Sequence, residues 1–194
     1  MCRGLHQFQG PGHGRHYPPH PAKVRQMSTG GTRTQTAVGA SIYISPLDHV
    51  AGDVAGLLGN FLFDLLGMFY PRQICSKANV VVIELVTNVM EHCTIRDGAL
   101  KVDLKIDGDD LLITVANPVT PDVFEAVKNR FTVIANAEDP KKLLADTVRE
   151  RRIDRAKGGL GLMRLTAESK FRLTAEYEQG FLIVKAQFPM RGFA

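Results

Sequence analysis

An α+β sandwich, with a mostly antiparallel sheet and helices on one face, is the fold class this sequence predicts. Three observations carry it. First, Leu100, Val102, Leu104 and Ile106 alternate with Lys101, Asp103 and Lys105, the period-two pattern of a half-buried strand; Asp107-Gly108-Asp109 then turns the chain into a returning strand over Leu111 to Ala116. Second, Phe171, Leu173, Ala175 and Tyr177 alternate again before a turn at Glu178-Gln179-Gly180 and a final strand from Phe181 to Phe188. Third, two segments with helical apolar spacing precede the first hairpin, so helices and antiparallel strands come in blocks rather than in βαβ alternation.

Residues 1–36 are rich in Gly, Pro, His, Thr and Gln and poor in aliphatic side chains. Such a segment buries too little apolar area to offset its ordering entropy, which predicts a disordered basic arm ahead of an ordered domain over 37–194. Its histidines (His6, His13, His16, His20) are irregularly spaced and read as incidental rather than as a metal tract. A short strand is expected from Val38 to Ile44. A long helix follows, with Ser45 as N-cap, Pro46 in the first helical position and Asp48 as a capping-box acid. Val50, Val54, Leu57, Phe61, Leu65 and Met68 would form its core-facing stripe, and Tyr70-Pro71 would end it. A second helix is expected from about Ile74 to Cys93. Between the hairpins, Phe124, Val127 and Phe131 suggest a helix after Pro121, and Leu143, Leu144 and Val148 suggest another.

The 194 residues are 44% hydrophobic and 23% charged, ordinary for a globular chain able to bury one real core. The net charge of +4 is localised: Arg3, Arg15, Lys23, Arg25 and Arg33 lie in the arm, leaving 19 cations against 20 acids in the remainder. With only Phe8 and Tyr17 interleaved, the arm lacks the aromatic pattern of a nucleic-acid binder. Three cysteines (Cys2, Cys75, Cys93) form neither a disulfide framework nor a CxxC knuckle. The richest apolar run, Val80 to Val86, is short and broken by Glu84, and no secretory leader pattern precedes it. A reduced cytoplasmic protein without a membrane partner is expected.

Two segments carry chemistry. On the second helix Glu84, Asn88 and His92 fall at i, i+4 and i+8, stacked along one face beside the apolar stripe Val81, Leu85 and Val89. A carboxylate and a carboxamide one turn apart suit a magnesium–phosphate site: the amide oxygen is a hard ligand, and the carboxylate can take a proton from an attacking hydroxyl. The structural alternative is an exposed polar helix face. Further on, Lys157-Gly158-Gly159-Leu160-Gly161-Leu162 puts three glycines before an apolar helix start, where backbone N–H groups can meet an anion; the alternative is a plain inter-helix turn. Neither a Walker lysine pattern nor a Rossmann fingerprint is present. Cys93 beside His92 points about 100° away from it around the helix, so thiol activation is not expected. Cys75 lies near a helix start, where a depressed thiol pKa is conceivable, but nothing else supports reactivity. Phe61, Phe63 and Phe69 are expected in the core or at an interface.

Taken together, Glu84-x-x-x-Asn88-x-x-x-His92 resembles the N-box, and Gly158-Gly159-Leu160-Gly161-Leu162 the G2 box, of the GHKL (Bergerat-fold) ATPase and kinase superfamily. The resemblance spans roughly residues 38 to 189. It implies an ATP-binding α/β sandwich in which Glu84 is the catalytic base, Asn88 the Mg²⁺ ligand, and His92 a phosphate-side contact. Gly158, Gly159 and Gly161 would cradle the phosphates, with Lys157 and Leu162 in the same nucleotide-binding loop, and residues 119–157 would form an ATP lid. Lys141, Lys142, Arg149, Arg151, Arg152 and Arg155 suit a lid over polyphosphate, although Glu138, Asp139, Asp146, Glu150 and Asp154 are interleaved with them. Where the family's G1 box places an adenine-binding Asp, this chain has Ala116-Asn117-Pro118; Asn117 would accept from the base through its amide oxygen, with less charge assistance.

The strand ending in Asn-Pro and the helical lid are similar to the SiaB-type branch of anti-sigma-factor serine kinases. That implies a Mg-ATP-dependent serine/threonine kinase acting on a small regulatory protein, such as a STAS-like antagonist or a sigma factor. The altered G1 segment supports an alternative, a non-catalytic partner-binding regulator with a degenerate nucleotide site. The first helix, with Phe61, Phe63 and Phe69 on different faces, hints at a homodimer surface.

Overall fold

Five strands are built where the alternation predicts them: β1 (Val38–Ile44), β2 (Leu100–Asp107), β3 (Asp110–Pro118), β4 (Arg172–Glu178) and β5 (Phe181–Pro189). They form one sheet in the order β1-β2-β3-β5-β4, antiparallel at every pairing. The computed structural model describes residues 37–93, 95, 97–154 and 160–191, side chains of 150–154 aside. The expectations for residues 1–36, and those for Lys157, Gly158 and Gly159, fall outside the described residues.

The register lines up four rows of side chains on the core face. One row runs Ile42–Val102–Val115–Val184–Ala175, and another runs Ile44–Leu100–Asn117–Leu182–Tyr177. Asn117 thus occupies a core phase of β3 and is the only buried polar residue among those described. The opposite face carries polar and charged side chains, including Lys101 and Lys105 with Asp103, and the Lys185–Glu176 pair. The hairpin glycines do what the turns require, with Gly108 at φ 65° and Gly180 at φ 86°.

Helix α2 (Arg72–His92) lies under the sheet, burying Ile74, Cys75, Ala78, Val81, Val82, Leu85, Val86 and Val89. It packs against α1 (Val54–Gly67), β3 and α5 (Leu160–Ala167). Lys77 of α2 clips the loop after α5: its Nζ donates to the Ser169 carbonyl at 2.9 Å and lies 4.5 Å from the Phe188 ring centroid. Burial, helped by nearby Lys170, pulls its pKa below the usual lysine range. Between β3 and α5 the chain forms α3 (Pro121–Ala135), with Pro121 opening the helix, and α4 (Pro140–Asp154). Asp139 caps α4 by accepting from the Lys141 and Lys142 amides at 2.9 and 3.0 Å.

The first helix departs from expectation in start and in phase. Ser45-Pro46-Leu47-Asp48 leads into a short 3-10 turn (Leu47–His49), and α1 begins only after Asp53, whose carboxylate accepts from the Gly56 amide at 2.8 Å. Its buried face is Ala55, Leu58, Gly59, Leu62 and Leu66, whereas Leu57, Phe61 and Met68 are exposed and Leu65 is half-buried. The cause lies at Gly59, where a Cβ would come within 2.7 Å of Ile83. The face that carries Ala55 and Gly59 between its leucines lets α1 and α2 approach closely, so the face of Leu57, Phe61 and Met68 is left outside.

Candidate functional site

The polar face of α2 meets the start of α5. A Cβ at Gly161 would run into the Glu84 carboxylate, so only glycine allows this approach. The two segments singled out in the sequence are therefore adjacent, the carboxylate lying against the first turn of α5, where backbone N–H groups are unpaired within the helix. One turn along, Asn88 donates through Nδ2 to the Glu84 carbonyl oxygen at 2.7 Å, leaving its amide oxygen as the acceptor.

Beyond Asn88 a cavity opens between α2, the sheet and α3. Asn88, His92, Asn117 and Leu162 line it, so four of the expected site residues converge there, while Glu84 stands outside its wall, against Gly161. Its other walls are apolar, from Leu85 and Val89 of α2, Val115, Leu182 and Val184 of the sheet, and Val127 and Phe131 of α3, with Arg130 at the rim. The pattern is that of a small-molecule site, apolar with few polar groups. Asn117 is 5% exposed, and its Nδ2 donates to the Pro118 carbonyl at 3.3 Å, which leaves Oδ1 to accept. The open space is about 80 Å³, room for several waters and below the ~300 Å³ of ordinary ligand clefts. Phe131, only 8% exposed, is part of the α3 wall.

The segment expected to form a lid is joined to the sheet at its start. Phe124 of α3 stacks on Tyr177 of β4 with ring centroids 5.0 Å apart; the Tyr177 hydroxyl donates to the Val119 carbonyl at 3.3 Å, and the Val119 amide donates to Gly180 at 3.0 Å. Farther along, Lys141 and Arg149 line a groove with Leu144, Val148 and Glu168, apart from the cavity. The α3 contributions, Arg130 among them, were not read as site residues from sequence; Val123, Val127 and Phe131 at i, i+4 and i+8 are the signal that one face of α3 covers something apolar.

The thiols play no part in this site. Cys75 is buried, its Sγ donating to the Tyr70 and Pro71 carbonyls, and burial pushes its pKa up, opposite to a depression by the helix start. Cys93 is half-buried rather than fully enclosed, with its Sγ 3.4 Å from the Ile95 carbonyl. No helix among the described residues is long and apolar enough to cross a membrane.

Among solved structures, a chain of the SiaB–SiaC complex from Pseudomonas aeruginosa aligns with a TM-score of 0.59 at 19% identity, covering 76% of this chain and 88% of that one. At this identity the likeness is one of fold. The catalytic domain of the histidine kinase ThkA aligns with a TM-score of 0.39 at 14% identity, over 78% of this chain and 97% of that chain. No protein-family model and no curated protein matches the sequence. The cavity stands between α2 and the strand β3, whose end carries Asn117.

The groups around Asn88 and Gly161 suit a magnesium–phosphate moiety, whereas the open space beyond them is smaller than a whole nucleotide. Gly161 keeps the cradle beside Glu84 free of a Cβ, and the Asn88 amide oxygen is an available hard ligand. No group of three His, Cys, Asp or Glu among the described residues suits a metal, so an ion here would depend on Asn88, waters and phosphate oxygens, the usual manner for Mg²⁺.

Proposed function

We propose that the protein is a Mg-ATP-dependent serine/threonine kinase of the partner-switching type, acting in the cytoplasm on a small regulatory protein such as a STAS-like antagonist or a sigma factor. The supporting observation is the convergence of Asn88, His92, Asn117 and Leu162 on one cavity, with Glu84 set against Gly161 beside it. The apolar walls hold a flat base, and Asn117 Oδ1 accepts from its exocyclic amino group. Asn88 would hold Mg²⁺, which would supply charge neutralisation at the phosphates. His92 contacts the phosphate side, and the amides of the loop from Lys157 through Gly158, Gly159 and Gly161 bind phosphate oxygens. Glu84 takes the proton from the attacking hydroxyl of the partner. The likeness to a complex of SiaB with SiaC favours a protein as phosphoryl acceptor.

Glu84→Ala tests the assignment. Phosphoryl transfer to a partner recovered with the protein should fall at least about 100-fold, the scale of a lost general base, while ATP affinity holds. Undiminished transfer would remove Glu84 from the mechanism.

A second reading, a non-catalytic partner-binding regulator, draws on two features of the same cavity: its small open volume and a carboxamide where the superfamily carries a carboxylate. Calorimetric titration with Mg-ATP separates the two, since no heat at millimolar nucleotide favours the regulator.

A further inference from the structure

The cations of α4 are placed unlike most of those elsewhere in the chain. Lys101, Lys105, Lys128, Arg164, Lys185 and Arg191 each stand beside a carboxylate. Lys141 and Arg149 pair with no acid among the described residues, although Asp146 stands only three positions before Arg149. Both line the groove beside α4 instead, with Leu144, Ala145 and Val148 between them and Glu168 as its remaining wall. The five α4 residues fall at i, i+3, i+4, i+7 and i+8, one continuous face, and Asp146 lies off it. Glu168 is engaged by Arg164 at 3.9 Å, so the free charge of the groove is cationic. Leu144 and Val148 are only half-buried and Ala145 is exposed, around an open space of about 630 Å³. Two unpaired cations, about 12 Å apart along the helix axis, thus bracket an apolar floor left open.

We propose that this groove docks an amphipathic helix of another protein, with acidic residues two turns apart and aliphatic side chains between them. The bracketing cations call for carboxylates, and the floor between them calls for apolar groups at helical spacing. A polyphosphate or nucleic-acid strand would meet the two cations and leave Leu144 and Val148 without a counterpart. An extended peptide would lay backbone N–H and C=O groups on aliphatic side chains, and none of the described lining residues belongs to a strand that could pair them. A flat lipid surface takes up protruding side chains, whereas Leu144 and Val148 are half covered at the floor of the groove. A second copy's α4 brings the same two cations and is repelled, and residues 1–36 contain no Asp or Glu to answer them. A helix from an acidic partner meets both requirements at once, its side-chain ridge seated against α4 and its carboxylates at the two ends. The groove lies apart from the cavity, so the assignment holds under either reading of that site.

The probe is a fluorescein-labelled, alanine-based helical peptide with two Glu two turns apart and Leu between them on the same face, titrated against the full-length protein by anisotropy. Saturable binding is expected, with at least a ten-fold loss when Lys141→Glu and Arg149→Glu are combined, since both contacts become like-charged. A companion peptide carrying Lys in place of Glu should regain the affinity on that double variant, which also shows that the variant is folded. Replacing the Leu of the probe by Ser should weaken binding to the parent by a similar factor, because the floor then has no apolar counterpart. Absence of saturable binding to the parent would overturn the proposal. So would undiminished binding of the acidic peptide by the double variant, or equal binding of the Ser peptide, which would reduce the groove to a patch of positive charge. Phosphatidylserine vesicles that sediment the parent and spare the double variant would assign the face to a lipid surface and overturn it as well.

Discussion

Helices α2 and α4 both carry polar faces, α4 the more heavily charged, but their anchorage is opposite. From Ile74 to Val89, α2 sends eight side chains into the core and holds the site's carboxylate and carboxamide. In α4 no residue from 140 to 149 is buried; Leu143, Leu144, Thr147 and Val148 reach only half-burial, and a single aspartate caps the start. One helix fixes the polar groups in place, while the other is a lightly held outer layer that lines a separate groove. The lightly held layer is the one expected to open locally first.

Substitutions in the two layers should separate accordingly. The largest loss of stability is expected from Leu85→Ala, which empties a site of 3% exposure and should cost about 2–5 kcal/mol in chemical denaturation. Asp139→Ala should cost about 1 kcal/mol and raise amide exchange in α4 while leaving α2 protected. Equal losses from these two variants would dissolve the distinction between the layers. Gly161→Ala should leave stability within about 1 kcal/mol, because the atoms it meets are the flexible end of Glu84 and alanine favours the helix. That variant should still lower phosphoryl transfer sharply by displacing the carboxylate; full transfer would mean that the contact is incidental.

The smallest expected effect is a pH slope. The folded state raises the Cys75 thiol pKa, so the stability this group contributes is complete below the ordinary thiol value, about 8.5, and is lost as pH rises through the folded value. Wild type should therefore lose stability in alkali faster than Cys75→Ala. Parallel denaturation curves from pH 8 to 10 would count against a desolvated thiol.

Much of this was legible from residues alone. The β2–β3 and β4–β5 hairpins declare themselves because one face is wet and the other dry, and α2 because its polar residues share a single stripe. Helix α1 was misread for a physical reason. Apart from Asn60 and Asp64 it is small or apolar all round, so two stripes compete and the choice rests on how closely Gly59 can approach Ile83, a tertiary matter. The Ser-Pro-x-Asp cap likewise suits a single 3-10 turn as well as a long helix. In the site, Asn88, His92, Asn117 and Leu162 could be named as candidates because their chemistry is local to their motifs, and the structure brings them to one cavity. The wall that Phe131 adds to it could not, since it depends on where α3 settles after leaving β3.

The stack of Phe124 on Tyr177 has a practical consequence. The chain contains four tyrosines and no tryptophan, so its intrinsic ultraviolet emission comes from a very small set of rings. One of them, Tyr177, touches α3, which forms a wall of the cavity. The molecule thus carries its own optical gauge of how α3 sits on the sheet, readable without any attached dye.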